Sequence, residues 1–199
     1  MKKCWGHTHL FVGIAAAAVI AQPKNVGECA VVVIGGSLGA IICDIEVKSN
    51  KYFKDVYYSR ITFGAMAILA LLFDFLMGGV VCSYILTNNW LYTLIGAVTF
   101  VTVCLFGYFS IHRTFTHSIL YVFLLGAAVG LLCKPLVLSF LVGAVMHLVL
   151  DIVNKKPILL LYPVSKGVCL KWFTADGVAD KVFLALGIVG SIIALYYST

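Results

Sequence analysis

Polar residues in this chain fall in short clusters between long apolar runs. Seven runs stand out: His9 to Ala21, Cys29 to Cys43, Ile61 to Leu86, Leu91 to Ile111, Ile119 to Cys133, Pro135 to Val153 and Val182 to Tyr197. The pattern predicts an all-α fold, a polytopic transmembrane bundle of about seven helices, six if the first is peripheral. Several runs are shorter than the roughly 20 residues that span hydrocarbon. Their ends are therefore expected to continue into the polar flanks. Gly35 and Gly39, and Gly126 and Gly130, form G-x-x-x-G pairs suited to close helix packing. Asp74 lies inside the third run, where a carboxyl group needs a partner or a proton. Two readings stay open for it: a functional group, or an acid hydrogen-bonded to a neighbouring helix.

The N-terminus has a basic start at Lys2 and Lys3, a short apolar core and small residues before Gln22-Pro23, as a signal peptide would. Trp5, His7 and His9 interrupt that pattern, so the first helix is expected to be retained.

Composition sharpens the class. The 199 residues are 62% hydrophobic and 11% charged, with a mean hydropathy of +1.07; soluble domains carry roughly 25% charged residues. This is a membrane protein, expected to form a single integral-membrane domain over residues 1–199. Its formal charge of +6 then reports topology rather than nucleic-acid binding. The seven cysteines are scattered singly, with no C-x-x-C, which predicts neither a zinc ribbon nor a disulfide framework.

Placing the N-terminus on one side, seven spans put twelve Lys and Arg (2, 3, 48, 51, 54, 60, 113, 155, 156, 166, 171 and 181) on that side and two (24 and 134) on the other. The first side is therefore expected to be cytoplasmic.

The candidate chemistry sits in the polar clusters. His112-Arg113-Thr114-Phe115-Thr116-His117-Ser118 places two imidazoles, a guanidinium and three hydroxyls between two runs. His112 and His117 are five apart, so they reach one centre only if the backbone breaks between them. The heptad is either a ligand cluster or a hairpin turn with Thr116 or Ser118 as the next N-cap. His147 and Asp151 share one helical face at i, i+4. Asp44 and Glu46, at i, i+2, point the same way only if the chain is extended there. With His7 and His9, all of these polar residues fall at the cytoplasmic ends of the expected helices. An isolated interfacial His or Asp is ordinarily a cap or a snorkelling group; their joint placement favours a site. Imidazoles with carboxylates suit a divalent ion, Zn, Mn or Fe(II), and their number allows two.

Thr8-His9 followed by Gly13, Asp44-x-Glu46, the heptad, and Gly143-x-x-x-His147-x-x-x-Asp151 followed by Pro157 and Tyr162-Pro163 resemble the YdjM family of membrane-bound metal-dependent hydrolases over roughly residues 8–165. The resemblance implies a small inner-membrane, multi-span protein with His9, Asp44, Glu46, His112, His117, His147 and Asp151 as metal ligands. Three departures concern loop shape and reach: Cys43 stands where Pro is usual, Glu46 where Asp is usual, and Thr114 where Gly is common.

The expected function is metal-dependent hydrolysis of an ester, by preference a phosphoester, in a lipid or lipid-linked substrate at the cytoplasmic leaflet, using Zn or Mn. Membrane lipid is the expected partner. The metal would acidify a water, one of Glu46, Asp44 or Asp151 would act as general base, and Arg113 would clamp an anionic oxygen. Glu46, Arg113, Thr116 and Asp151 are thus the candidate catalytic residues. The alternative is a non-catalytic metal-binding scaffold, regulator or transporter; a transporter would more typically place its site at the midplane.

Overall fold

The computed structural model describes residues 6–47, 54–174 and 177–197. Lys2, Lys3, Lys48 and Lys51 of the charge count lie outside them. Among the described residues there are eight α-helices: α1 Gly6–Ala21, α2 Val26–Ile42, α3 Lys54–Leu76, α4 Val80–Thr87, α5 Trp90–Phe109, α6 Ile119–Leu132, α7 Val137–Val153 and α8 Val178–Tyr196. Four stretches are long and apolar enough to cross a membrane: Tyr57–Leu76, Trp90–Tyr108, Lys134–Val153 and Val178–Tyr196. The described residues contain no β-strand, only isolated bridges pairing Asn154 with Phe173 and Ile158 with Val168.

The expected single helix over 61–86 is two. Gly78 adopts a positive φ of 62°, and the turn at residues 77–79 ends α3 before α4 begins. Asp74, fully buried, organises this break. Its carbonyl accepts from Gly79 N (2.7 Å), while its carboxyl oxygens accept from Val81 N (3.2 Å) and Cys82 N (2.8 Å). The partner of Asp74 is thus the first turn of α4, whose amides have no intrahelical acceptor. A Cβ at Gly79 would lie 2.3 Å from Asp74 Oδ1, so the turn requires a glycine there.

Helices α1, α2 and α7 form the centre, and α1 also packs along α8. The first helix is therefore not peripheral: Leu10, Ile14 and Ala17 are buried. Small residues bring these helices together. A Cβ on Gly39 would lie 2.0 Å from the Phe140 carbonyl oxygen, and one on Gly143 2.2 Å from that of Gly36. Of the two expected glycine pairs, Gly35 and Gly39 make such close contacts with α7, as does Gly126, where a Cβ would lie 2.7 Å from Leu141 Cδ2, whereas Gly130 meets only Val137 at an ordinary 3.5 Å. Helices α3, α5 and α8 leave large apolar residues exposed, among them Leu69, Phe75, Val98, Phe106, Leu186 and Ile192. Faces of this kind are stable when lipid covers them.

The chain beyond α7 folds back across the ends of α5, α6 and α7. Leu159 N donates to Arg113 O (3.0 Å), Ile119 N to Leu160 O (3.0 Å) and Trp172 N to Val153 O (3.0 Å). Ile158 of this loop is buried and bridges to Val168 within it.

Candidate metal centre

Four separate parts of the chain meet at one end of the bundle. His9 lies in the first turns of α1, and His147 and Asp151 in the last turns of α7. Each histidine is four residues from a packing glycine, Gly13 or Gly143, so the two helices approach closely there. The His9 and His147 rings stack with centroids 3.9 Å apart and planes at 22°.

Asp44 and Glu46 follow α2, but the chain there is not extended as expected. Asp44 N bonds Ile41 O (3.1 Å), Ile45 N bonds Ile42 O (3.2 Å) and Val47 N bonds Asp44 O (3.0 Å), so α2 runs out into a tight turn. The carboxylates still converge, because the additional methylene of Glu46 supplies reach that backbone alternation would otherwise have to provide. With Asp44 N turned to Ile41, the Ala40 carbonyl accepts from His147 Nδ1 (2.6 Å). A carbonyl only accepts, so the proton is on Nδ1 and the Nε2 lone pair points into the cluster.

The heptad forms the hairpin turn of one reading while its histidines also face the other donors. A 3₁₀ turn at Phe115–His117 supplies the break between the two histidines, and Ser118 caps α6 by accepting from Tyr121 N (3.2 Å). Thr116 is not the cap: its hydroxyl sits 3.0 Å from His117 Nδ1, where it orients the ring. Arg113 takes a positive φ of 69°, uncommon for a residue with a side chain. From there it donates to Asp151 Oδ1 (2.7 Å) and to the Lys156 carbonyl (2.6 Å).

These donors form two adjoining groups: Asp44, Glu46, His112 and His117, and His9, His147 and Asp151. In each, one ligand atom per residue lies within 4.8 Å of the others. His112 Nδ1 is 2.8 Å and His117 Nδ1 3.4 Å from Glu46 Oε1. His117 Nε2 lies between the groups, 3.1 Å from Asp151 Oδ2, 3.3 Å from His147 Nε2 and 3.6 Å from Asp44 Oδ1. His9 Nε2 is 3.7 Å from Asp151 Oδ1. The structure thus brings together all seven residues expected as ligands. Only the His112 side chain, 34% exposed, is open to the surface.

The charges fit a cation. Asp44, Glu46 and Asp151 are buried together, and among the described residues the Arg113 guanidinium pairs with one of them, Asp151. With neutral imidazoles the formal sum of these four groups is about −2, a buried negative charge that a bound cation would offset. Glu46 Oε2 is buried without a hydrogen-bond partner, a lone pair that a cation would satisfy. Burial alone would lower the pKa of His117, but the hydrogen bond and charge of Asp151, with Glu46 and Asp44, raise it instead.

His7 does not join the cluster. Two residues from His9 on a helix, it points to the opposite side, where its Nε2 lies 3.5 Å from Thr62 Oγ1. Two residues went unnoticed in the sequence. Arg60 donates to the Asp44 carbonyl, and Asp180, in the first turn of α8, accepts from Thr8 Oγ1. Each is a single charge beside an apolar run, and only the packing of α3 and α8 relates it to the cluster.

A helical membrane protein with a buried histidine and carboxylate cluster at one end of its bundle is the class that fold and site define. The chain belongs to the YdjM family, described as YdjM inner membrane protein, whose pattern it matches over residues 5–197. No curated protein and no solved structure matches it.

Proposed function

We propose that this protein is a multi-pass inner-membrane, metal-dependent hydrolase whose site faces the cytoplasm and cleaves an ester, by preference a phosphoester, of a lipid or lipid-linked substrate. The observation that carries the reading is the pair of adjoining donor groups, in which four imidazoles and three carboxylates meet with one lone pair of Glu46 unsatisfied. His9, His147 and Asp151 would hold one ion, and Asp44, Glu46, His112 and His117 a second; Zn or Mn suits such mixed nitrogen and oxygen donors. The ions would supply Lewis acidity and an acidified water.

The remaining roles fall to the chain itself. Glu46, beside partly exposed His112, is the residue to accept a proton as general base. Thr116 orients His117. Arg113 fixes Asp151 and keeps its positive charge next to the site, where an anionic oxygen would arrive. Burial of six of the seven donors favours a second reading, a metal-stapled scaffold without turnover.

Metal analysis of the purified protein, with His112→Ala and His147→Ala as comparisons, tests the centre. Turnover on phospholipids and on soluble phosphoesters, with added Zn or Mn and with chelator, separates the readings. Bound metal without metal-dependent turnover on either substrate set would leave the scaffold.

A further inference from the structure

Beside the heptad lies an open groove of about 560 Å³. Leu105, Phe106 and Phe109 of α5 line it, with Phe115 and Tyr162. Of the four residues with hydroxyls in its lining, Thr102, Ser110, Thr114 and Tyr162, two are engaged with main-chain carbonyls, Ser110 Oγ with Gly107 O and Thr114 Oγ1 with Ile111 O. The groove therefore offers a largely hydrocarbon-like wall, with Leu105, Phe106, Phe109, Ile111 and Phe115 as most of its lining. The groove runs along α5, one of the helices long and apolar enough to cross a membrane.

The surface adjoining the groove has the opposite character. The loop that contributes Tyr162 also carries Lys155, Lys156, Lys166 and Lys171, all exposed, and residues 152–174 contain no Asp or Glu. This loop is tied to the site through Arg113, which donates to the Lys156 carbonyl and accepts from Leu159 N. Thr114 lines the groove only two residues from His112, the exposed donor of the cluster. An apolar slot, a basic loop and the open edge of the cluster thus meet around residues 112–115.

We propose that this groove and the basic loop together form a docking site for an anionic lipid, one acyl chain lying along α5 and the headgroup against the loop lysines. Charge complementarity selects the anionic headgroup, and the apolar lining selects a chain. The proposal rests on the hydrolase reading only in making that lipid the substrate class; docking itself needs no turnover.

The test uses the full chain reconstituted in phosphatidylcholine vesicles containing a trace of phosphatidylglycerol with a diazirine in one acyl chain. After photolysis, labelled peptides are mapped by mass spectrometry. Labelling should concentrate at Leu105, Phe106 and Phe109 over the exposed apolar face of α3 at Leu69 and Phe75. It should exceed that from the matching phosphatidylcholine probe by about fivefold, the preference one surface lysine confers. Replacing Lys155, Lys156, Lys166 and Lys171 with Gln should abolish the headgroup preference while leaving the groove labelled, as should salt near 1 M, where the Debye length is about 3 Å. Equal labelling of α3 and α5, or no headgroup preference in the parent protein, would overturn the proposal. Preferential labelling that persists with chelator but without turnover would keep the docking site and remove the hydrolase. Turnover restricted to soluble phosphoesters, with no groove labelling, would do the reverse.

Discussion

Arg113 shows how one residue links the loop to the cluster. Its left-handed backbone, a conformation that costs a side chain of order 1–3 kcal/mol, aims one guanidinium at two acceptors, Asp151 Oδ1 and Lys156 O. Arg113→Lys keeps the charge but loses the planar fork. Turnover should fall about tenfold or more, each factor of ten being about 1.4 kcal/mol of transition-state stabilisation, while metal content stays near the parent. Unchanged turnover would remove Arg113 from the mechanism. Asp151→Ala should behave differently, removing the carboxylate that the Arg113 guanidinium pairs with at a cost of about 1.5–3 kcal/mol, read as a lowered Tm in detergent. His117 adds a pH dependence. Its neighbours raise its pKa, so in acid a proton competes for the ring; apparent metal affinity should fall as pH drops, about tenfold per unit for each proton displaced. Calorimetry in buffers of different ionisation enthalpy would count those protons, and a pH-independent affinity would contradict the assignment of His117 as a ligand. At this scale the sequence was most readable where spacing translates directly into direction. His147 and Asp151 four apart share a face, and His112 and His117 five apart demanded the break that the 3₁₀ turn provides. It was least readable at Asp44 and Glu46, where the turn and the length of the glutamate, rather than extended alternation, decide the convergence.

Helix-scale features are set by small residues and by one buried acid. Gly39 and Gly143 allow α2 and α7 to touch main chain to main chain, and the same proximity brings His147 Nδ1 to the Ala40 carbonyl. Gly39→Ala and Gly143→Ala should each cost about 1–3 kcal/mol through overpacking and reduce bound metal as well. Gly130→Ala, with only an ordinary contact to Val137, should leave both nearly unchanged. Thermal melts paired with metal analysis separate these outcomes, and equal effects at the three positions would contradict the packing account. The break between α3 and α4 escaped the hydrophobic pattern because residues 61–86 contain no polar cluster long enough to interrupt it. The local signal was Gly78-Gly79, four and five residues after Asp74, a turn dipeptide whose acceptor lay just upstream. Asp74→Ala removes the acceptor for the α4 amides and should cost about 0.5–2 kcal/mol, the range of a lost N-cap; Asp74→Asn keeps one acceptor oxygen and should cost less.

For the whole molecule, the charge asymmetry read from the sequence becomes an asymmetry in space. Arg60 donates to the main chain of Asp44, Arg113 lies in the cluster, and the loop that holds Lys155, Lys156, Lys166 and Lys171 is bonded to Arg113. Lys24 precedes α2 and Lys134 follows α6, both at the ends remote from the cluster. The connectivity explains why so much was legible. The long apolar helices alternate in direction, with short α4 lying between α3 and α5 at the far end, so residues from distant parts of the chain share a side before any contact is known. Which bilayer face that end meets depends on the positive-inside bias. Lys166→Cys and Lys134→Cys, each in a background without reactive native cysteines, test it with an impermeant maleimide on intact cells. Cys at 134 should react from outside, and Cys at 166 only after permeabilisation. Reaction at 166 in intact cells would turn the site to the outer face, leaving its donors and their geometry as they are but moving any lipid substrate to the opposite leaflet.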